Sequence, residues 1–234
     1  MLASLKRIIP IGWHNYFRFL KSGTGNTAFT DADLPGIFSG IYRTNHWKGV
    51  DSTCGITSGV AQTAALRRSL QQWLSAYDIK SITDVPCGDF ICMKEIDLSG
   101  VFYTGGDILE EMIRKNARQY ASSNISFTTT DITKNDIPRA DLILCRDCFV
   151  HLSFENIRLA LTRFKESGSR YLACTSFIRN KFNYDIPDGN WRTLNMQMAL
   201  FHFRPPIAVI HDECTPGNGV FSDKSLYIWK LSDI

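Results

Sequence analysis

The residues best suited to chemistry are four aspartates, Asp84, Asp107, Asp131 and Asp147, each at the end of a β-type run. The first opens Asp84-Val85-Pro86-Cys87-Gly88-Asp89-Phe90. The others lie in Gly105-Gly106-Asp107-Ile108, Asp131-Ile132 and Cys145-Arg146-Asp147. A carboxylate in such a place can accept from a diol or hold an ammonium group. Asp107 follows Asp84 by 23 residues, near the ~20 that separate a glycine turn from a ribose-binding acid. Each aspartate also has a plain structural use. Asp107 with Glu110 fits a helix capping box. Asp131 can open a turn, and Asp84 can bond nearby backbone. Recurrence on consecutive strands favours a shared ligand. His151 stands four residues after Asp147, so the two share a face if that turn is helical. Imidazole titrates near neutrality and suits proton removal. The competing use of His151 is packing or capping at a helix beginning at Ser153.

The elements that position these residues follow from periodicity. Strands are expected over 80–85, 101–106, 125–130, 141–145, 170–176, 206–211 and 225–231, and helices over 59–77, 109–121 and 154–166. Strands separated by helices imply a parallel sheet covered on both faces. Residues 178–206 read as a long irregular stretch, and the connection between the last two strands has no helical pattern, so those strands should be antiparallel neighbours. The expected fold is α/β: a Rossmann-like, seven-stranded, mostly parallel sheet with an antiparallel C-terminal hairpin. Ligands of open α/β sheets bind beyond the carboxyl ends of the strands, which puts the aspartates on one rim.

Composition sets the outer bounds. Hydrophobic residues make up 44% and charged residues 21% of the 234, an ordinary globular balance that excludes disorder and fibrous repeats. The net charge of +3 is too small to imply nucleic-acid binding. Residues 1–30 hold Lys6, Arg7, Arg18 and Lys21 with no acid. They read as a basic extension, joined through a linker at 22–28 to one domain over 31–234. Residues 13–20 suit an amphipathic helix packed on that domain; contact with a membrane surface is the less favoured use. No apolar stretch reaches the ~20 residues needed to span a bilayer. Seven cysteines, an odd number and several of them inside apolar runs, argue against a secreted disulfide framework and for the reducing cytosol. Cys145 and Cys148 have C-x-x-C spacing without a second ligand pair, so no metal is expected.

Taken together, the strand-end motifs resemble class I S-adenosylmethionine-dependent methyltransferases, in particular a bacterial branch whose cofactor motif runs D-x-P-C-G-D-F, here Asp84 to Phe90. Matching segments continue with YTGGDI (103–108), DI (131–132), LILCRDCFVHLS (144–153), SGSRYL (167–172), GNWRTLN (189–195) and GNGVFSDKSLYIW (217–229), and upstream with IFSGIYRTNHWKG (37–49). The sequence departs from the pattern at Cys92, where an aromatic is expected, and in the loose Ser/Gly-rich stretch 52–59.

The resemblance implies S-adenosylmethionine as cofactor. Gly88 would let the backbone approach its methionine part, Asp84 and Asp89 would lie near its ammonium, Asp107 at its ribose, and Asp131 with Ile132 at its adenine; Pro86, Ile108 and Arg146 are further cofactor-binding candidates. Pro86 has no N–H to give a pyrophosphate, and G-x-G-x-x-G is absent, so a nicotinamide oxidoreductase is disfavoured. Asp147 and His151 are the base candidates. Tyr42, His46, Trp47, Trp191, Arg192 and Asn195 are the acceptor-pocket candidates, suited to a polyhydroxylated or anionic acceptor. The branch suggests a sugar-type hydroxyl on a small molecule or glycan. The alternative is a cofactor-binding partner subunit that has lost catalysis. Oligomeric state is not legible.

Overall fold

In the computed structural model the described residues are 33–49, 51–55, 57–214 and 219–234. The extension, linker and amphipathic segment expected within 1–30 lie outside them. Chain order is α1 (Leu34–Arg43), α2 (Ala64–Ala76), β1 (Ser81–Asp84), β2 (Phe102–Asp107), α3 (Glu110–Tyr120), β3 (Ile125–Thr129), β4 (Leu142–Cys145), α4 (Phe154–Glu166), β5 (Tyr171–Phe177), β6 (Ala208–His211) and β7 (Lys224–Lys230). The seven strands form one sheet in the order β3-β2-β1-β4-β5-β7-β6. The first five are parallel, and β7 enters antiparallel between β5 and β6. The fold is the expected one. The last two strands are antiparallel neighbours, and β7 also pairs with β5.

The central strands are apolar on both sides because helices cover both faces. Along β4, Leu142 and Leu144 face the core built with Leu66, Leu70 and Leu74 of α2. Ile143 and Cys145 face the opposite core with Ile157, Ala160 and Phe164 of α4. The period of two in a strand thus shares one apolar run between two helices.

Two helices differ from expectation. The helix expected over 59–77 begins only at Ala64. Ahead of it, Asp51 accepts from the Val60 N–H at 2.9 Å and Thr63 Oγ1 donates to Gly59 O at 3.0 Å, so residues 57–63 turn against their own loop. Helix α1 was not expected. Its signal is Asp33-Leu34-Pro35: Asp33 Oδ1 accepts from Gly36 N at 3.0 Å, and proline stands in the first turn, where its missing N–H costs nothing. Helix α1 buries Ile37 and Ile41. It packs on the 178–206 loop at Gly189, whose φ is +81° and where a Cβ would meet Ile37 Cγ2 at 2.6 Å. That loop is irregular yet largely buried, and its amides satisfy one another. Asn183 Nδ2 donates to Asn195 O, and Asn195 Nδ2 to Asn180 O, both at 2.9 Å. Its Asp185 and Asp188 accept from the first N–H groups around α4, Phe154 N at 2.8 Å and Ser153 N at 2.7 Å.

Candidate active site

One cavity opens at the carboxyl ends of the parallel strands. Asp84, Pro86, Gly88, Asp89, Asp107, Ile108, Asp131, Ile132, Arg146, Asp147 and His151 all line it, together with Tyr42 and Trp47. Expectations drawn from five separate stretches of sequence therefore converge on one space.

Asp84 ends β1, almost fully buried, and its Oδ2 accepts from the Tyr103 hydroxyl at 2.6 Å. Burial pushes its pKa up to about 7, against the pull of Tyr103 and Arg146. Asp107 ends β2 and accepts from two backbone groups, Gly88 N at 3.1 Å and Leu109 N at 3.0 Å. Burial raises it to about 6 despite those bonds. The capping box with Glu110 does not form, since α3 begins at Glu110 with Leu109 as its N-cap and no side-chain cap. Asp107 instead ties its own strand end to the β1 turn. Gly88 has φ +56°, and a Cβ there would collide with Cys54 Sγ, so only glycine fits. Asp89 receives Ser52 Oγ at 2.9 Å and Thr53 N at 2.8 Å, pinning the 51–55 loop over the turn. Asp131 does open a turn, accepting from Thr133 N at 2.9 Å and Thr133 Oγ1 at 2.6 Å, and still lines the cavity.

Beyond β4 lies a closed ring of four charges, of which Lys224 and Asp212 are buried and Arg146 and Asp147 partly so. Lys224 Nζ is 2.6 Å from Asp147 Oδ2 and 2.7 Å from Asp212 Oδ2. Arg146 completes the ring at 3.3 Å from Asp147 and 3.2 Å from Asp212. Thr175 Oγ1 adds a bond to Asp147 Oδ1 at 3.1 Å. Burial alone would raise the Asp147 pKa, but Arg146 and Lys224 hold it well below the usual carboxylate range. Its lone pairs are already engaged, so it is a poor base.

His151 is different. The turn is not helical at Asp147, whose φ is +53°, and a 3-10 turn over Phe149–His151 follows. The shared helical face expected for Asp147 and His151 is therefore absent, although both reach the cavity. The His151 ring packs on Trp47 with centroids 4.4 Å apart, and its Nδ1 lies 2.9 Å from Asn190 O. A carbonyl can only accept, so Nδ1 carries the proton in the neutral ring, leaving Nε2 as the acceptor. Burial lowers the pKa to about 4, with Asn190 and Asp147 pulling it upward. The imidazole is thus neutral at physiological pH.

The expected acceptor pocket divides. Tyr42 and Trp47 line the cavity, whereas His46 is exposed and outside the lining. Trp191 packs against Phe221, centroids 5.0 Å apart, and is 40% exposed, also outside the lining. Arg192 is fully buried over the Phe154 ring, 5.0 Å from its centroid. Asn195 is buried and donates to Asn180 O. Both serve the 178–206 loop rather than the cavity. These residue types carried no mark of burial in the sequence. Sequence reasoning missed Tyr103, Lys224, Asp212 and Thr175, whose partners lie 12 to 77 residues away. The one available signal was a lysine heading the otherwise apolar Ser225-Leu226-Tyr227-Ile228-Trp229 run. It also missed Leu34 and Phe38, which α1 adds to the lining.

The sheet order with its antiparallel insertion is the Rossmann-like fold of methyltransferases. Solved structures agree. The chain superposes on a Burkholderia thailandensis 1,6-didemethyltoxoflavin-N1-methyltransferase, crystallised with that compound and S-adenosylhomocysteine, with a TM-score of 0.58 at 14% identity, covering 95% of this chain and 90% of that one. Human N-acetylserotonin methyltransferase, in complex with S-adenosylmethionine, gives 0.55 at 13% identity over 94% of this chain. This chain spans 66% of that enzyme, just under two thirds of its length. A third structure, TnmH, gives 0.54 at 13% identity, covering 93% of this chain and 67% of that one. No family model and no curated protein matches the chain.

Proposed function

We propose that the chain is an S-adenosylmethionine-dependent methyltransferase acting on a hydroxyl, or alternatively an amine, of a small-molecule or glycan acceptor. The observation that carries this reading is a single cavity lined both by the carboxylates ending β1 and β2 and by a neutral imidazole with a free Nε2. The residues present fit the cofactor. Ammonium, sulfonium and diol groups suit a rim of carboxylates. Arg146 Nε is a buried donor without a hydrogen-bond partner, which an acceptor atom of a bound ligand would satisfy. Asp84, Asp107 and Asp131 would hold the cofactor, with Pro86, Gly88, Ile108 and Ile132 shaping its bed and Asp89 holding the loop above it. When bound, the cofactor supplies the methyl group. The protein aligns the acceptor and removes its proton, and His151 Nε2 is the group to take it. Asp147 positions the turn that carries His151. A partner subunit without catalysis is the second reading, and it leaves the orientation of His151 without a purpose. Among the described residues no helix is long and apolar enough to cross a membrane. All seven thiols are free, which supports placement in the reducing cytosol.

Calorimetry tests the cofactor. S-adenosylmethionine should bind the wild type, and Asp107→Asn should weaken binding by about 100-fold, the loss expected for hydrogen bonds to a charged group. No binding by the wild type would sink the proposal.

A further inference from the structure

We propose that the methyl acceptor is a neutral, planar compound carrying a hydroxyl on an aromatic ring, rather than a sugar or a phosphorylated metabolite. This rests on the methyl-transfer reading above and narrows it. The evidence is the apolar part of the cavity lining. Helix α1 lays Leu34, Phe38 and Tyr42, spaced four apart on one face, along the cavity. The Phe38 and Trp47 ring centroids are 6.2 Å apart, and Trp47 packs tilted against His151. Leu152 continues the surface. The wall is an aromatic and aliphatic ladder in which the side-chain polar atoms are those of Tyr42, Trp47 and His151 alone. Such a surface rewards a flat apolar ring. It leaves most hydroxyls of a sugar without partners, at a cost for each one desolvated.

Charge points the same way. Among the described residues, Arg146 and His151 are the only basic side chains on the cavity. The two terminal nitrogens of the guanidinium pair with Asp147 and Asp212 inside a ring of two cations and two anions, and His151 is neutral. Four further carboxylates, of Asp84, Asp89, Asp107 and Asp131, line the same space. An anionic acceptor would meet more carboxylates than cations, since the one guanidinium on the cavity is already balanced by Asp147 and Asp212 and has only its Nε without a partner. Arg192 and Asn195, the residues that would favour an anion or a polyol, are buried elsewhere.

The chemistry is consistent with this choice. In the transfer, the acceptor oxygen forms a bond to the methyl carbon while the sulfonium–methyl bond breaks. Its electron pair stays on sulfur, which becomes a neutral thioether, and the hydroxyl proton passes to His151 Nε2. A buried imidazole held near 4 is a weak base. A phenolic hydroxyl, with a pKa of about 10, asks less of it than an alkyl alcohol, whose acidity is closer to that of water at about 16.

The test uses the full chain, S-adenosylmethionine and a matched pair of probes: 2-naphthol, and 6-hydroxy-2-naphthoate, which adds a carboxylate to the same ring. Methyl glucoside and glucose 6-phosphate are run beside them, and methylated product is detected by mass spectrometry. Naphthol should exceed the naphthoate by at least about 10-fold in kcat/KM, one tenfold step being about 1.4 kcal/mol, and the sugars should give no product. Phe38→Arg should narrow or reverse the naphthol preference by adding a cation to the wall. Naphthoate used as well as naphthol, a methylated sugar, or no naphthol product while calorimetry shows bound cofactor would each overturn the inference and leave the methyl-transfer reading standing. Absence of cofactor binding would instead remove that reading and this inference with it.

Discussion

At the scale of single residues, the site separates two acid–base roles by environment. Asp147 is ionised and fully engaged; His151 is neutral and has one free nitrogen. Replacing His151 with glutamine should lower kcat by about 100-fold or more, as expected when a positioned base is lost, with cofactor affinity unchanged by calorimetry. An unchanged kcat would remove the imidazole from the chemistry. The rim carboxylates make a second prediction. Their raised pKa values mean that the unliganded site binds protons at mildly acid pH. A cationic cofactor needs the ionised forms, so its affinity should be full only well above the Asp84 value and fall as the pH drops through about 7 for Asp84 and about 6 for Asp107. Calorimetry between pH 5 and pH 8, on either side of those values, checks this, and Asp107→Asn should flatten the lower part of the curve. The aspartates themselves were legible in the sequence because a strand-end acid is a local feature. Their protonation was not, because it depends on Tyr103, Arg146 and burial brought from other strands.

At the scale of elements, the cavity depends on how α1 sits on the 178–206 loop. Gly189 N donates to His151 O at 2.8 Å, and Asn190 fixes the ring, so one short stretch holds both the helix and the base. Gly189→Ala would place a methyl against Ile37 and force a non-glycine residue into positive φ, a strain of order 1–3 kcal/mol. The acceptor KM should rise several-fold while cofactor affinity holds. A variant with unchanged acceptor kinetics would show that α1 is not the wall. The strands and α3 and α4 were readable from periodicity, because the apolar runs are long and the turns marked. Helix α1 was not read, since its ten residues include two glycines and a proline, which weaken any helical pattern. The acceptor candidates failed for a related reason. Trp191, Arg192 and Asn195 share residue types with a binding pocket, but what decides their place is the packing of a loop that has no period.

At the scale of the whole molecule, the four-charge ring joins the parallel half of the sheet to its antiparallel end. Arg146 and Asp147 follow β4, Asp212 follows β6, and Lys224 begins β7. Removing one member leaves an uncompensated buried charge, which costs about 3–5 kcal/mol. Lys224→Met should therefore lower the melting temperature by roughly 10 °C, taking about 2–4 °C per kcal/mol for a chain of this size. The double variant Lys224→Met/Asp212→Asn should recover part of the loss. A single variant as stable as wild type would mean that the ring contributes nothing net.

The insertion of β7 between β5 and β6 also sets an order in time. Asp147 is separated from Lys224 by 77 residues. At about 5–20 residues per second, a ribosome takes roughly 4 to 15 s to supply the lysine after the aspartate has been made. Once β5 is made, its far edge stays open and the Asp147 carboxylate has Arg146 and Thr175 but not Lys224 beside it. The first five strands can pair as they emerge, but the pocket they border acquires its final electrostatics only when a late strand enters between two earlier ones. Closure over such a separation is slow, so in a growing chain the charge ring beside the site is the last part of it to be completed.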